Sequence, residues 1–324
     1  MELYLTHSGT ATRMTGTAVT WTLSGDKSTS VRQLTAEFVF EETMALPVPE
    51  IGDQLTLVGD DGNRVFTGPV LKRTAGSEDK TMSCTSYDYG IYLNRNDGTY
   101  RFTSQTPEEI TRRVCRDRDI PVVGLPATGV KLQRKFAGVA LAKIIGTVWS
   151  LAEERTGDRY AIRYTPEGLL VKKRKETAGT VILKGAGRLM DATTVQDATQ
   201  AVNSVAIYDS NGNFLRRSGN SEAQKLLGMM ERHITKTTGS DADKQARQLL
   251  EDGGVQTTVT VNALGDLSLI SGETVVVQEE KTGLQGVFWI DGDVHTWKRG
   301  NYYTRLTLNC RNVTTRLSAG SELK

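Results

Sequence analysis

Apolar and polar positions alternate with a period of two through the first hundred residues. Val19, Trp21 and Leu23 alternate with Thr20 and Thr22. Leu34, Ala36, Phe38 and Phe40 alternate with Thr35, Glu37 and Val39. This pattern predicts half-buried strands with threonine on the open face. Turn residues separate the segments: Ser24-Gly25-Asp26, Pro47-Val48-Pro49 and Asp60-Asp61-Gly62-Asn63. Short antiparallel strands joined in this way predict a sandwich or a small barrel.

The period changes near Thr103. Thr106-Pro107-Glu108-Glu109 has the form of a helix start, with a threonine cap, proline at the first helical position and glutamate three residues after the cap. Ile110 and Val114 give this helix its apolar side. A second predicted helix carries Leu141, Ile144, Ile145, Val148, Leu151 and Ala152 on one stripe and stops at Thr156-Gly157. Two short strands, 159–164 and 169–173, turn through Pro166-Glu167-Gly168. Strands return at 202–208 and 213–217 around Asn211-Gly212, a hairpin signal. A third helix is predicted from Ser240, with Asp243 at the capping-box position. It displays Ala242, Ala246, Leu249 and Leu250 and stops at Gly253-Gly254. Val255, Thr257, Val259, Val261 and Ala263 then alternate, strands continue to about Asn312, and the tail 318–324 frays.

The two β regions resemble each other. In the first, the strand 34–40 leads to Ile51-Gly52-Asp53, an apolar strand, Val65-Phe66-Thr67-Gly68-Pro69-Val70, and a third strand ending near Cys84. In the second, the strand 257–263 leads to Ser271-Gly272-Glu273, an apolar strand, Val287-Phe288-Trp289-Ile290-Asp291, and a third strand ending near Cys310. The Gly-acid pair is a turn device: glycine supplies the unusual backbone angles and the acid bonds nearby amides. The expected fold is therefore mixed and mainly β, with two similar small β-barrel modules flanking a small α+β domain. The boundaries read as 1–100, 101–176 and 177–324, with a helical insertion near 219–253.

Composition narrows the function classes. The 324 residues are 38% apolar and 24% charged, as in a globular protein long enough to bury a core. The 40 Lys and Arg nearly balance the 38 Asp and Glu, for a net charge of +2, which argues against nucleic-acid recognition. No run of about 20 apolar residues is present, so no membrane insertion is expected. Met1-Glu2-Leu3-Tyr4-Leu5 lacks the features of a signal peptide, which places synthesis and folding in a cytoplasm. Cys84, Cys115 and Cys310 are too few and scattered for a zinc site or disulfide framework and read as small buried thiols.

Motifs that carry chemistry are sparse. The three histidines, His7, His233 and His295, lie far apart in sequence. Gly185-Ala186-Gly187 is followed by Met190 where a dinucleotide loop needs glycine. The acidic neighbours Asp60 and Asp61, Glu153 and Glu154, and Glu279 and Glu280 read as turns or helix surface, while Asp291 and Asp293 share a strand. Asp209-Ser210-Asn211-Gly212-Asn213 lacks the later glutamate of a calcium loop. Arg112, Arg113, Arg116 and Arg118 form a basic helix face, and Lys172, Lys173, Arg174 and Lys175 a basic run. Both read as solvated surface or as contacts for an acidic protein partner. No catalytic, cofactor-binding or metal-binding residue is assigned, no cofactor is expected, and the chain is not read as an enzyme.

The order of β module, small helical domain and β module resembles the phage tail baseplate hub proteins of the XkdQ/YqbQ type. The residues that carry the likeness are Gly52-Asp53 with Phe66-Thr67-Gly68-Pro69-Val70, then 86–93 leading into Tyr100-Arg101-Phe102. They continue with the helix start at Thr106, the helix 242–250, Gly272-Glu273, and Phe288-Trp289-Ile290-Asp291 with His295-Thr296-Trp297. The resemblance implies a homotrimeric symmetry adaptor that joins a six-fold tail tube to a three-fold central spike, with baseplate wedge proteins as further partners. It places the chain in the bacterial host cytoplasm during assembly and then in the baseplate of a phage or tail-like particle. The hub portion of a bacterial injection machine is a close variant of this reading. Two other classes compete with it: a cell-wall hydrolase using Asp291, Asp293 and His295, and a carbohydrate-binding β module using Trp289 and Trp297.

Overall fold

In the computed structural model the described residues are 1–39, 46–76, 79–174, 181–185, 187–236, 242–310 and 317–323. Phe40, Lys175, Ala186, Ser240, Asn312 and Lys324 of the sequence reading lie outside them. The first period-two segments are seven strands: β1 (Glu2–His7), β2 (Thr10–Arg13), β3 (Ala18–Asp26), β4 (Thr29–Val39), β5 (Gln54–Val58), β6 (Arg64–Ala75) and β7 (Thr81–Tyr87). They lie side by side in the order β2-β1-β5-β6-β7-β4-β3. Alternate residues of every strand except β2 meet in one core, formed by Leu3, Leu5, Leu23, Leu34, Phe38, Leu55, Leu57, Phe66 and Met82, as a sheet with one buried face requires.

Next come α1 (Ile91–Arg95), β8 (Asp97–Gln105), α2 (Pro107–Arg116), β9 (Val122–Gly124), β10 (Leu132–Ala140), α3 (Leu141–Thr156), β11 (Tyr160–Thr165) and β12 (Gly168–Lys173). The capping box is present as the sequence predicts: Glu109 N–H donates to Thr106 Oγ1 at 3.3 Å, and Thr106 N–H donates to Glu109 Oε2 at 2.8 Å. Helix α3 ends at Gly157, whose φ of 78° suits glycine. The helices pack on two small sheets around a core of Phe102, Ile110, Val114, Phe136, Leu141, Val148, Trp149 and Tyr160, and Leu93 of α1 joins it. Trp149 donates its indole N–H to Thr111 Oγ1 at 3.0 Å in the buried interior. Thr111→Val, which leaves that donor without its partner, is expected to cost about 1–3 kcal/mol, read as a lower urea midpoint.

The chain then forms β13 (Ile182–Lys184) and β14 (Leu189–Asp197), followed by β15 (Ser204–Tyr208), β16 (Phe214–Gly219), α4 (Ser221–Leu227), β17 (Glu231–Thr235) and α5 (Ala242–Asp252). Residues 193–259 make a compact unit of their own, and 1–192 with 260–324 make the other. In the smaller unit α5 sets Ala242 and Ala246 against Val205 and Ile207 of a sheet ordered β16-β15-β17. The Asn211-Gly212 hairpin is found as read, with Asp209 accepting from the amides of Asn211 and Asn213. Helix α4, capped by Asn220, lies within the stretch 219–253 expected to be helical, whereas the parallel pairing of β17 with β15 was not anticipated.

The last strands are β18 (Gln256–Leu264), β19 (Thr274–Glu279), β20 (Leu284–Lys298), β21 (Asn301–Asn309) and the short β22 (Ser321–Glu322), which adds to β10. They repeat the first region. The order β13-β19-β20-β21-β18-β14 reproduces β1-β5-β6-β7-β4-β3, although β13 is parallel to β19 whereas β1 is antiparallel to β5. Because β3 also pairs with β20, both repeats belong to one large, mostly antiparallel sheet. The protein is thus mainly β, with this sheet and three small ones among the described residues.

The likeness extends to single hydrogen bonds. Gly52 donates to Val70 O, Val70 to Asp53 O and Asp53 to Glu50 O; Gly272 donates to Ile290 O, Ile290 to Glu273 O and Glu273 to Ile270 O. Both glycines have positive φ, 96° and 92°, which explains why glycine stands in both turns. One residue past each anchor the ladder is bulged, at Leu71 and at Asp291. The register corrects one alignment. Cys84 lies opposite Arg73, and the matching position opposite Asp293 is Leu306, so Cys310 is not the counterpart of Cys84. The alignment by cysteines failed because Cys310 follows the end of β21.

Candidate functional site

The feature that joins the elements of the larger unit is the seam where β20 meets β3. The ladder runs from Gly292 opposite Asp26 to Lys298 opposite Thr20. Trp297 and Trp21 stack across it with centroids 6.1 Å apart, and Tyr302 covers Trp297 at 4.4 Å. The bulge presents Asp291 to Lys27, whose ammonium lies 2.6 Å away and whose backbone N–H donates to Asp291 O at 2.8 Å.

Asp293 is the charged centre of the seam. Its carboxylate lies 2.6 Å from Arg32 Nη2, accepts the Ser271 amide at 2.7 Å and stands 3.1 Å from His295 Nε2. His295 Nδ1 is 2.8 Å from the Tyr302 hydroxyl. Burial works against charge on Asp293, but Arg32 and His295 outweigh it and hold the carboxyl below its usual range. The backbone of Arg32 is held in turn: its N–H donates to Asp88 Oδ2 at 2.8 Å and its carbonyl accepts from Asp88 N–H at 3.0 Å. Asp88 Oδ1 accepts from Gly90 at the start of α1. Burial pushes the Asp88 carboxyl up to about 7, against the pull of its bonds to Arg32 and Gly90. One arginine therefore connects the first repeat, the entry to the helical region and the second repeat.

Glu273 of the second turn reaches outward to Arg163 at 3.0 Å and to Lys172 at 3.6 Å. Its counterpart Asp53 instead closes its own turn on the Glu50 amide and meets His7 at 3.0 Å. The same turn thus fastens to the helical region in one repeat and to its own module in the other.

The residues read as an acid–base set are found together, but as fasteners. Asp291 and Asp293 are engaged by cations of the first repeat, and the side chains of Asp293 and His295 have 0% exposure. Trp297 is buried in its stack, and Trp289 is half-buried. Glu153, expected on a helix surface, is buried and accepts the Tyr160 amide at 2.8 Å. Arg174, expected on a solvated run, is buried, whereas Lys172 and Lys173 are exposed. Arg112, Arg113, Arg116 and Arg118 are exposed, with Arg113 over the rings of Tyr100 and Phe102. Burial raises the thiol pKa of Cys84 to about 11 and of Cys115 to about 12; Cys310, expected to be buried, is exposed. Among the described residues no cluster of metal-ligating side chains is found and no helix is long and apolar enough to cross a membrane. Sequence reasoning missed Lys27, Arg32 and Asp88, each of which resembles an ordinary polar residue of a strand or turn when read alone.

Two copies of one strand order are joined edge to edge around a helical insertion, and this fold is shared with a phage tail protein. The prophage MuSo2 43 kDa tail protein from Shewanella oneidensis superposes with a TM-score of 0.71 at 14% identity, covering 95% of this chain and 97% of that one. The YqbQ-like family model matches residues 19–309, and the chain belongs to that family. Two relatives from Bacillus subtilis (strain 168) are each 24% identical. The uncharacterized protein YqbQ aligns over 85% of this chain and 87% of its own length, and the phage-like element PBSX protein XkdQ over 73% and 75%. The resemblance drawn from the sequence is met at the level of family and fold.

Proposed function

We propose that this protein is the structural hub of the baseplate of a contractile phage tail or tail-like particle, acting as a homotrimer. The observation that carries this reading is the duplicated strand order within one chain of tail-protein fold. Three chains with two copies each place six similar modules around an axis. Such a ring matches a six-fold tube on one face and keeps true three-fold symmetry for a spike on the other. In this reading each repeat curls into a small barrel, within 1–100 and 177–324. The α+β domain of 101–176 and the insertion near 219–253 meet the spike and the wedge proteins. The chain assembles in the host cytoplasm and ends in the baseplate. Its work is mechanical, in keeping with Asp291, Asp293 and His295 being spent on internal bonds.

Light scattering across a concentration series, with and without the spike protein, tests this. A mass three times the 35.5 kDa of one chain, or with spike that mass plus the bound spike, is expected. A single-chain mass under every condition, with no spike binding, overturns the proposal.

A further inference from the structure

Among the described residues the β3–β20 seam occurs once, and the repeat supplies an unmatched counterpart of each of its two edges. In the second repeat, β3 covers Gly292–Lys298 of β20, and Gly292, Asp293, His295 and Trp297 are buried. The matching stretch of the first repeat is the end of β6 beyond its bulge. It pairs with β7 on one side. On the side where β5 ends, no strand pairs with it among the described residues, and Leu71, Lys72, Arg73, Thr74 and Ala75 are all exposed. The counterpart of β3 is β14, which among the described residues stands at the end of the sheet with only β18 beside it and leaves Met190 54% exposed. One repeat thus uses a donor strand and an acceptor edge that the other leaves open.

The charges of the open edges are complementary. The end of β6 carries Lys72 and Arg73 and no acid, whereas β14 carries Asp191 and Asp197 and no base. The internal seam has the opposite polarity, with Asp291 and Asp293 on β20 met by Lys27 and Arg32 of the β3–β4 hairpin. Reversed polarity distinguishes the two joints and disfavours exchange between them. An open strand edge is also a pairing hazard unless charge or a partner covers it.

We propose that β14 of one chain pairs antiparallel with the β6 edge, Leu71–Ala75, of a second copy, repeating between chains the seam that β3 and β20 make within one. This rests on the trimeric hub reading and names its subunit interface. The contact is head-to-tail, so three copies close a ring with seams alternating within and between chains.

The test uses two full-length variants under the condition in which the wild type is trimeric. Lys72→Glu/Arg73→Glu blocks the β6 edge, and Met190→Lys/Asp191→Lys blocks β14. Each alone is expected to have the mass of one chain. Mixed in equal amounts, they associate, because the native edges pair and the two reversed edges also carry opposite charges, so the mass rises to two chains or more. An unchanged unfolding midpoint separates a blocked edge from misfolding, and Leu71→Glu serves as a second block of β6. Variants that still form trimers, or a mixture that stays at single-chain mass, overturn the edge pairing while a trimeric wild type keeps the hub. A wild type that never forms a trimer overturns the hub reading itself.

Discussion

Replacing Arg32 with methionine is expected to lower stability by about 3–5 kcal/mol, because it leaves the Asp293 carboxylate buried without its main counter-charge. The Arg32 side chain is 13% exposed and that of Asp293 0%, so water does little to compensate. An exposed ion pair would contribute only about 0–1 kcal/mol, which makes the size of the effect diagnostic. The loss is read as a fall in the urea midpoint followed by tryptophan fluorescence, since Trp21 and Trp297 stack at the same seam. Adding Asp293→Asn to Arg32→Met removes the stranded charge and recovers much of the loss. A single-variant loss under about 1 kcal/mol would show that the seam is held by its ladder and ring stack alone.

The second large effect is a pH dependence. Asp88 titrates near 7 in the folded chain against a reference value of 3.8, so the folded state binds that proton more tightly than the unfolded one. The stability gained from it is fully present below about pH 4 and is lost as pH rises to about 7. At 1.36 kcal/mol per pH unit the loss is on the order of 4 kcal/mol. Asp88→Asn carries no charge to bury. It gives up one of the two amide bonds to Arg32 and Gly90, at about 1 kcal/mol. The variant is therefore expected to be slightly less stable than the wild type near pH 4 and more stable above pH 7. Urea midpoints of both proteins at five pH values measure the crossing; parallel curves would show that Asp88 keeps an ordinary carboxyl.

Much of this structure was legible in the sequence because it is written in short-range patterns. The alternation through Trp21, Leu23, Leu34 and Phe38 places strands and their buried face, and Thr106-Pro107 with Glu109 marks one helix start. The paired glycines, Gly52 and Gly272, reveal the duplication because the same turn geometry needs the same residue. Three things were not legible. A short element such as β17, with its five residues, has too few positions for a period to emerge. The alignment of Cys84 with Cys310 followed residue identity, whereas the ladder aligns Cys84 with Leu306. The seam depends on partners more than 250 positions apart, such as Arg32 with Asp293 and Lys27 with Asp291. Asp291, Asp293 and His295 could therefore be singled out as a cluster but not given their role, which only their partners define.

End-on electron micrographs of the isolated oligomer, averaged without imposed symmetry, test the symmetry adaptor most directly. A closed ring with six-fold modulation among its β modules and three-fold symmetry overall is the expected result. An open chain, or a ring whose number of subunits is not three, would contradict it.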